Sequence, residues 1–167
     1  ISSYIKRLEE FRLVTRCSPI FSKPSARNAR YMISDPYMRF WLEFVDPVAL
    51  RALAEASRWD LLIANCQAQL PNFLGFSLER WFRTKYLEKG SWFEVGNWWD
   101  RSGQNEIDLI AVNHSERRIE FAEVKLNSKK FSEKKLQLKV SRFLEAHPSF
   151  IDWHVTTKGL SPEDMFE

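Results

Sequence analysis

The stretch Glu106-Ile107-Asp108-Leu109-Ile110-Ala111-Val112, followed after a polar turn by Ile119-Glu120-Phe121-Ala122-Glu123-Val124-Lys125, decides the fold. Each half is an apolar run of strand length, and side chains alternate faces along a strand. Glu123 and Lys125 therefore share a face, as do Glu106 and Asp108, and residues 113–118 supply the turn of a hairpin. Charged side chains are seldom buried unless paired or bound to metal. An acid on one strand facing an acid and a lysine on the next points to a divalent-metal site. The plain alternative is a hairpin-edge ion pair with Lys125, worth little if exposed.

Upstream of the hairpin, Trp92 to Trp99 reads as a strand, and Pro71 opens a long helix to about Lys89 whose apolar side is Phe73, Leu74, Leu78, Trp81, Phe82 and Tyr86. Alternation puts one of Trp98 and Trp99 in the core; the other is exposed for stacking or serves only in packing. Downstream, Ser132 caps a basic amphipathic helix to about Ala146, apolar at Leu136, Val140, Phe143 and Leu144. Pro148 stops it, and a last strand runs from Phe150 to Thr156. The order helix, three strands, helix, strand predicts an α/β sandwich around a mixed sheet.

The first part reads differently. Ser2 or Ser3 caps a helix to about Phe11, with Ile1, Tyr4, Ile5, Leu8 and Phe11 as its apolar stripe. A strand from Leu13 to Ile20, a basic loop and a strand from Tyr31 to Ser34 follow, as at the end of a winged helix. Lys6, Arg7, Arg12, Arg16, Lys23, Arg27 and Arg30 would then be phosphate contacts; the alternative is a helix and hairpin used only for packing. Asp35-Pro36 caps a further helix, whose stripe of Tyr37, Phe40, Trp41, Phe44 and Val45 is expected in the core. Asp46-Pro47 starts another helix to about Ser57, and residues 58–69 are helical again. Three parts result: 1–34 the end of a winged helix, 35–70 a helical connector, 71–167 the sandwich.

Composition narrows the function. The chain has 167 residues with 44% hydrophobic and 28% charged, ordinary for a soluble fold. No apolar run approaches bilayer length, which predicts no membrane partner. Cys17 and Cys66 lie far apart and no histidine sits at zinc-ligand spacing, so no zinc site is expected, and a reducing, cytoplasmic setting is. The net charge of +3 hides segregation: residues 1–31 hold seven Lys/Arg against two acids, and residues 124–142 seven against one. Two basic surfaces suit a polyanion such as DNA. In the second, Lys129, Lys130 and Lys134 are the candidate phosphate contacts. The Gly-rich loop of a P-loop nucleotide site is missing, so no nucleotide is expected. The opening at Ile1, close to a helix, reads as the C-terminal piece of a longer chain.

Hydrolysis of a phosphodiester at neutral pH needs an activated water and compensation for charge on the phosphorus oxygens, which carboxylate-bound Mg²⁺ or Mn²⁺ supplies. Such ions keep several waters, so Asp108, Glu123 and the Val124 carbonyl suffice as ligands. Lys125 would position or activate the water and stabilise the phosphate. Glu79, on the preceding helix, would reach the metal directly or through water, unless it is only an i,i+4 partner of Arg83.

Asp108 on one strand, Glu123-x-Lys125 on the next and Glu79 on the helix ahead resemble the PD-(D/E)XK nuclease superfamily. The order Tyr4 to Glu10, Ile33-Ser34-Asp35-Pro36-Tyr37-Met38-Arg39-Phe40-Trp41, Gly75 to Glu79, and then the trio is similar to the C-terminal region of archaeal-type AAA ATPases. That resemblance spans nearly the whole chain. It implies a restriction-endonuclease-like fold, metal-dependent DNA cleavage by Asp108, Glu123, Lys125 and Glu79, and an ATPase domain ahead of this segment as partner. A catalytically inactive module that binds DNA or regulates the ATPase is the alternative. Two positions depart from the pattern: Ile107 stands where Pro is common, and Arg80 follows Glu79 where ATPase-linked members tend to carry a second acid.

Overall fold

The computed structural model describes residues 2–23 and 28–166. The chain forms two compact units, Ile1–Cys17 with Ala29–Leu74 and Ser18–Asn28 with Gly75–Glu167, which cut across the three consecutive parts expected from sequence.

In the first unit, helix α1 (Ser2–Glu10) leads into strand β1 (Val14–Cys17), antiparallel to β2 (Arg30–Ile33) with Val14 opposite Ile33. Asp35 caps α2 (Pro36–Phe40), its Oδ1 accepting the Met38 N–H at 2.6 Å. A π-helical turn, Trp41–Val45, follows, then α3 (Val48–Glu55). The expected aromatic core stripe is only partly buried: Phe44 is 7% exposed, whereas Tyr37, Phe40 and Trp41 are 69%, 42% and 45% exposed. A stripe at 3.6-residue spacing goes out of phase when the helix widens into i→i+5 bonding. Tyr4 on α1 and Phe11 just past its end are likewise exposed, because a two-stranded sheet gives that helix little to pack on.

Helix α4 (Trp59–Glu88) begins in the first unit and ends in the second. Two helices parted at Pro71 were expected; instead Pro71 lies inside one helix. A single proline removes one N–H donor, and thirty residues of helix absorb that loss.

The second unit is the sandwich. Strands β3 (Glu94–Trp99), β4 (Glu106–Asn113), β5 (Arg118–Val124) and β6 (His154–Leu160) lie in the order β3-β4-β5-β6. The first three form an antiparallel meander, and α5 (Glu133–Ala146) crosses over so that β6 runs parallel to β5. Leu78, Phe82 and Tyr86 of α4 pack with Leu109, Ala111, Ala122, Val124 and Leu160 in one core. Leu136, Val140 and Phe143 of α5 pack with Ile107, Ile110, Val112, Ile119 and Phe121 in the other. Cover on both faces explains why β4 and β5 read as nearly continuous apolar runs. Both Trp98 and Trp99 are buried, so neither is free to stack on a base; Trp99 Nε1 donates to the Asn28 carbonyl at 2.9 Å.

Alternation fails at one place. Gly96 stands opposite Ile110 but Trp98 opposite Ile107, so Asp108 and Leu109 share one partner position on β3. Ile107 and Ile110, three residues apart, consequently enter the same core. This is a β-bulge, a device that re-aims a side chain at the end of a ladder.

Candidate active site

The bulge sets the aim of Asp108. The β4–β5 ladder ends at Leu109 opposite Ala122. Beyond it the Asp108 carboxylate replaces a backbone acceptor, Oδ2 taking the Val124 N–H at 2.8 Å. Asp108 thus lies at the mouth between the two strands. The Arg83 guanidinium on α4 donates to the Asp108 carbonyl at 3.2 Å, tying helix to bulge.

Glu123 is the next position of β5, and Lys125 follows just past the strand. Lys125 Nζ stands 2.7 Å from Glu123 Oε1 and 3.8 Å from Asp108 Oδ2, so one ammonium reaches both carboxylates. The sequence reading did not single out the other oxygen's partner: Lys139 Nζ on α5 contacts Glu123 Oε2 at 2.6 Å. In sequence Lys139 is one of several charges on a basic helix. Its only signal is its place beside Val140, at the margin of the apolar stripe. Glu79 pairs with Arg83 at 3.8 Å; both side chains are about four-fifths buried, so this is not the surface pair that i,i+4 spacing would produce.

The electrostatics follow from burial. Desolvation first, then the Asp108 charge, pushes the Glu79 carboxyl up to about 7. Burial and the neighbouring Glu123 charge raise Asp108, against the pull of the Val124 N–H and the lysines. For Glu123 burial acts upward, but hydrogen bonds from Lys125 and Lys139 outweigh it and hold the group below its usual range. Burial acts downward on Lys125, and its carboxylate partners outweigh that too, so it stays an ammonium well past neutrality.

Among the described residues, no three His, Cys, Asp or Glu side chains cluster closely enough to hold a metal by themselves. The two carboxylates that share Lys125 are nevertheless hard oxygen donors, the type Mg²⁺ or Mn²⁺ takes, and such ions keep most of their waters. The donor set fits.

Of the expected phosphate contacts, Lys6, Arg7 and Arg30 are exposed in the first unit. Lys23, Lys129, Lys130 and Lys134 are exposed in the second, the middle two in a 3₁₀ turn (Ser128–Lys130) before α5. Arg27 lies outside the described residues. No helix among the described residues is long and apolar enough to cross a membrane.

The profile of the DUF234 family, described as "Archaea bacterial proteins of unknown function", matches residues 41–137, a span that holds Glu79, Asp108, Glu123 and Lys125. An uncharacterized protein of Methanocaldococcus jannaschii is 30% identical over 132 residues, which are 75% of this chain and 29% of that protein. The chain therefore spans less than a third of that relative's length. No solved structure matches it.

Proposed function

The chain belongs to the DUF234 family, and for this member we propose a metal-dependent nuclease that hydrolyses DNA phosphodiesters, of the PD-(D/E)XK type. The observation that carries the reading is the Lys125 ammonium, 2.7 Å from Glu123 and 3.8 Å from Asp108, which draws two largely buried carboxylates to one spot at the ends of adjacent strands. Two acids placed so are the hard oxygen donors that a divalent-cation site uses. The helix–three strands–helix–strand order of the second unit is the arrangement a restriction-endonuclease-like core would have, which supports the same reading.

Asp108, Glu123 and the Val124 carbonyl would hold one Mg²⁺ or Mn²⁺. That ion would lower the pKa of a water and offset charge on the scissile phosphate. Lys125, kept protonated by its carboxylate partners, serves as a charge beside the phosphate rather than as a base. Glu79, with its carboxyl near 7, is suited to take the proton from the attacking water. Lys129, Lys130 and Lys134 would track the backbone beside this site. By the family resemblance, α1 and the β1–β2 hairpin are the end of a winged helix, with Lys6, Arg7 and Arg30 as its phosphate contacts. By the same resemblance an ATPase domain precedes this segment in the full protein, and free Cys17 and Cys66 fit a cytoplasmic setting.

The test is Mn²⁺ titration with cleavage assays on single-stranded, duplex and branched DNA. Asp108→Ala is expected to abolish both metal binding and cleavage, and Lys125→Ala to abolish cleavage alone, with losses on the order of 10³-fold or more. Metal binding without cleavage of any substrate would instead mark an inactive, DNA-binding or regulatory module. A second reading concerns the first unit: exposed Tyr37, Phe40, Trp41 and Leu42 favour a protein-interaction surface there.

A further inference from the structure

Glu123 has no free oxygen. Lys125 takes Oε1 at 2.7 Å and Lys139 takes Oε2 at 2.6 Å. Asp108 Oδ2 is held by the Val124 N–H, and Glu79 faces Arg83. Glu123, the acid both lysines reach, thus has a cation on each oxygen before any metal binds. A divalent ion therefore reaches a Glu123 oxygen in competition with an ammonium.

The two ammoniums differ in their alternatives. Lys125 sits two residues from Glu123 and keeps Asp108 within 3.8 Å, so it stays in the cluster if it lets go. Lys139 comes from a separate element and pairs with Glu123 alone of the three acids; its side chain is 23% exposed, less than the 33% of Lys125, so what sets it apart is its element and not its exposure. Its flexible four-carbon stem can swing along the helix whose first turns expose Lys134 and Lys135. A phosphodiester is an anion of substrate chemistry that competes with a carboxylate for an ammonium.

On the nuclease reading above, we propose that Lys139 is a latch on the metal site. Without nucleic acid it holds Glu123 away from a divalent ion; a phosphodiester draws it off and opens the carboxylate. Metal and nucleic acid then bind cooperatively, each strengthening the other by the same factor, as linkage requires. Lys139 is here a positioning residue, acting through Glu123.

The experiment measures Mn²⁺ binding by electron paramagnetic resonance on the whole chain, with and without an uncleavable phosphorothioate oligonucleotide, using Asp108→Asn to subtract ions bound by the oligonucleotide. The unaltered chain is expected to bind Mn²⁺ about ten-fold more tightly with the oligonucleotide, within the usual span of coupled sites. Lys139→Met should bind Mn²⁺ more tightly than the unaltered chain when no oligonucleotide is present, and lose most of the coupling. Lys139→Arg should keep the coupling. The latch is overturned if the oligonucleotide leaves Mn²⁺ affinity unmoved, or if Lys139→Met binds the ion more weakly, since Lys139 then merely orients Glu123. Mn²⁺ binding through Asp108 without coupling defeats the latch alone. Absence of any Asp108-dependent Mn²⁺ binding defeats the nuclease reading together with it.

Discussion

Glu79 shows what position does to a single residue. In sequence it is one acid a turn ahead of an arginine; in the fold, burial and the Asp108 charge push its carboxyl up to about 7 from 4.5. A raised acid favours the folded state while protonated. That contribution is full below about 4.5 and is lost as pH rises through about 7, because the folded state then carries the buried charge. Glu79→Gln removes the dependence. Relative to the unaltered chain, it should gain about 2–3 kcal/mol in urea unfolding between pH 4.5 and pH 8; equal differences at both pH values would show that Glu79 is not the buried acid. Asp108, Glu123 and Lys125 were legible because ionisable letters interrupt apolar strands. Lys139 was not, since its contact with Glu123 depends on how α5 docks, and nothing in the local pattern encodes docking.

At the scale of elements, the three meander strands and α5 were legible from period and punctuation, and the Asp35 cap from its chemistry; the last strand, expected at Phe150–Thr156, runs instead over His154–Leu160, because Pro148–Phe150 winds into a 3₁₀ turn. The bulge was invisible: one extra residue on β4 leaves the hydrophobic pattern nearly unchanged while turning Asp108 toward Val124. The single helix through Pro71 was misread because a proline is a stop signal only where nothing downstream holds the helix together. Another tertiary requirement sits on β6. A Cβ added at Gly159 would stand 2.6 Å from Phe131 Cγ, so the strand passes beneath an aromatic ring with no space for a methyl group. Gly159→Ala should therefore cost about 1–3 kcal/mol in chemical unfolding, and Phe131→Ala in the same chain should recover part of it. An unshifted midpoint for the single variant would mean that the ring moves aside freely.

For the whole molecule, the sandwich is completed by a segment from far upstream. Within the second unit Ile20 donates its N–H to the Asn97 carbonyl at 2.8 Å, and the Phe21 ring lies 5.0 Å from Phe150 and 6.3 Å from Phe143. Gly96 leaves the room for this: a Cβ there would meet Ile20 at 3.0 Å. A fragment of residues 75–167 should consequently expose apolar surface, seen as dye binding and poor amide dispersion, and adding a peptide of residues 18–28 should relieve both. A well-dispersed spectrum for the fragment alone would make Ser18–Asn28 an accessory. Sequence reading grouped these residues with a wing loop because they are basic and rich in breakers. That composition says nothing of where Ile20 and Phe21 pack.

The bond from Trp99 to Asn28 joins positions 71 residues apart in the chain. During synthesis the earlier of the two leaves the ribosome first, and Ile20 and Phe21 emerge with no surface to cover. They stay open to water, and to chaperones that grip short greasy stretches, until β3 and then α5 have been made. The sandwich closes only when its oldest piece meets its youngest, so a pause in translation anywhere between them prolongs the sticky interval.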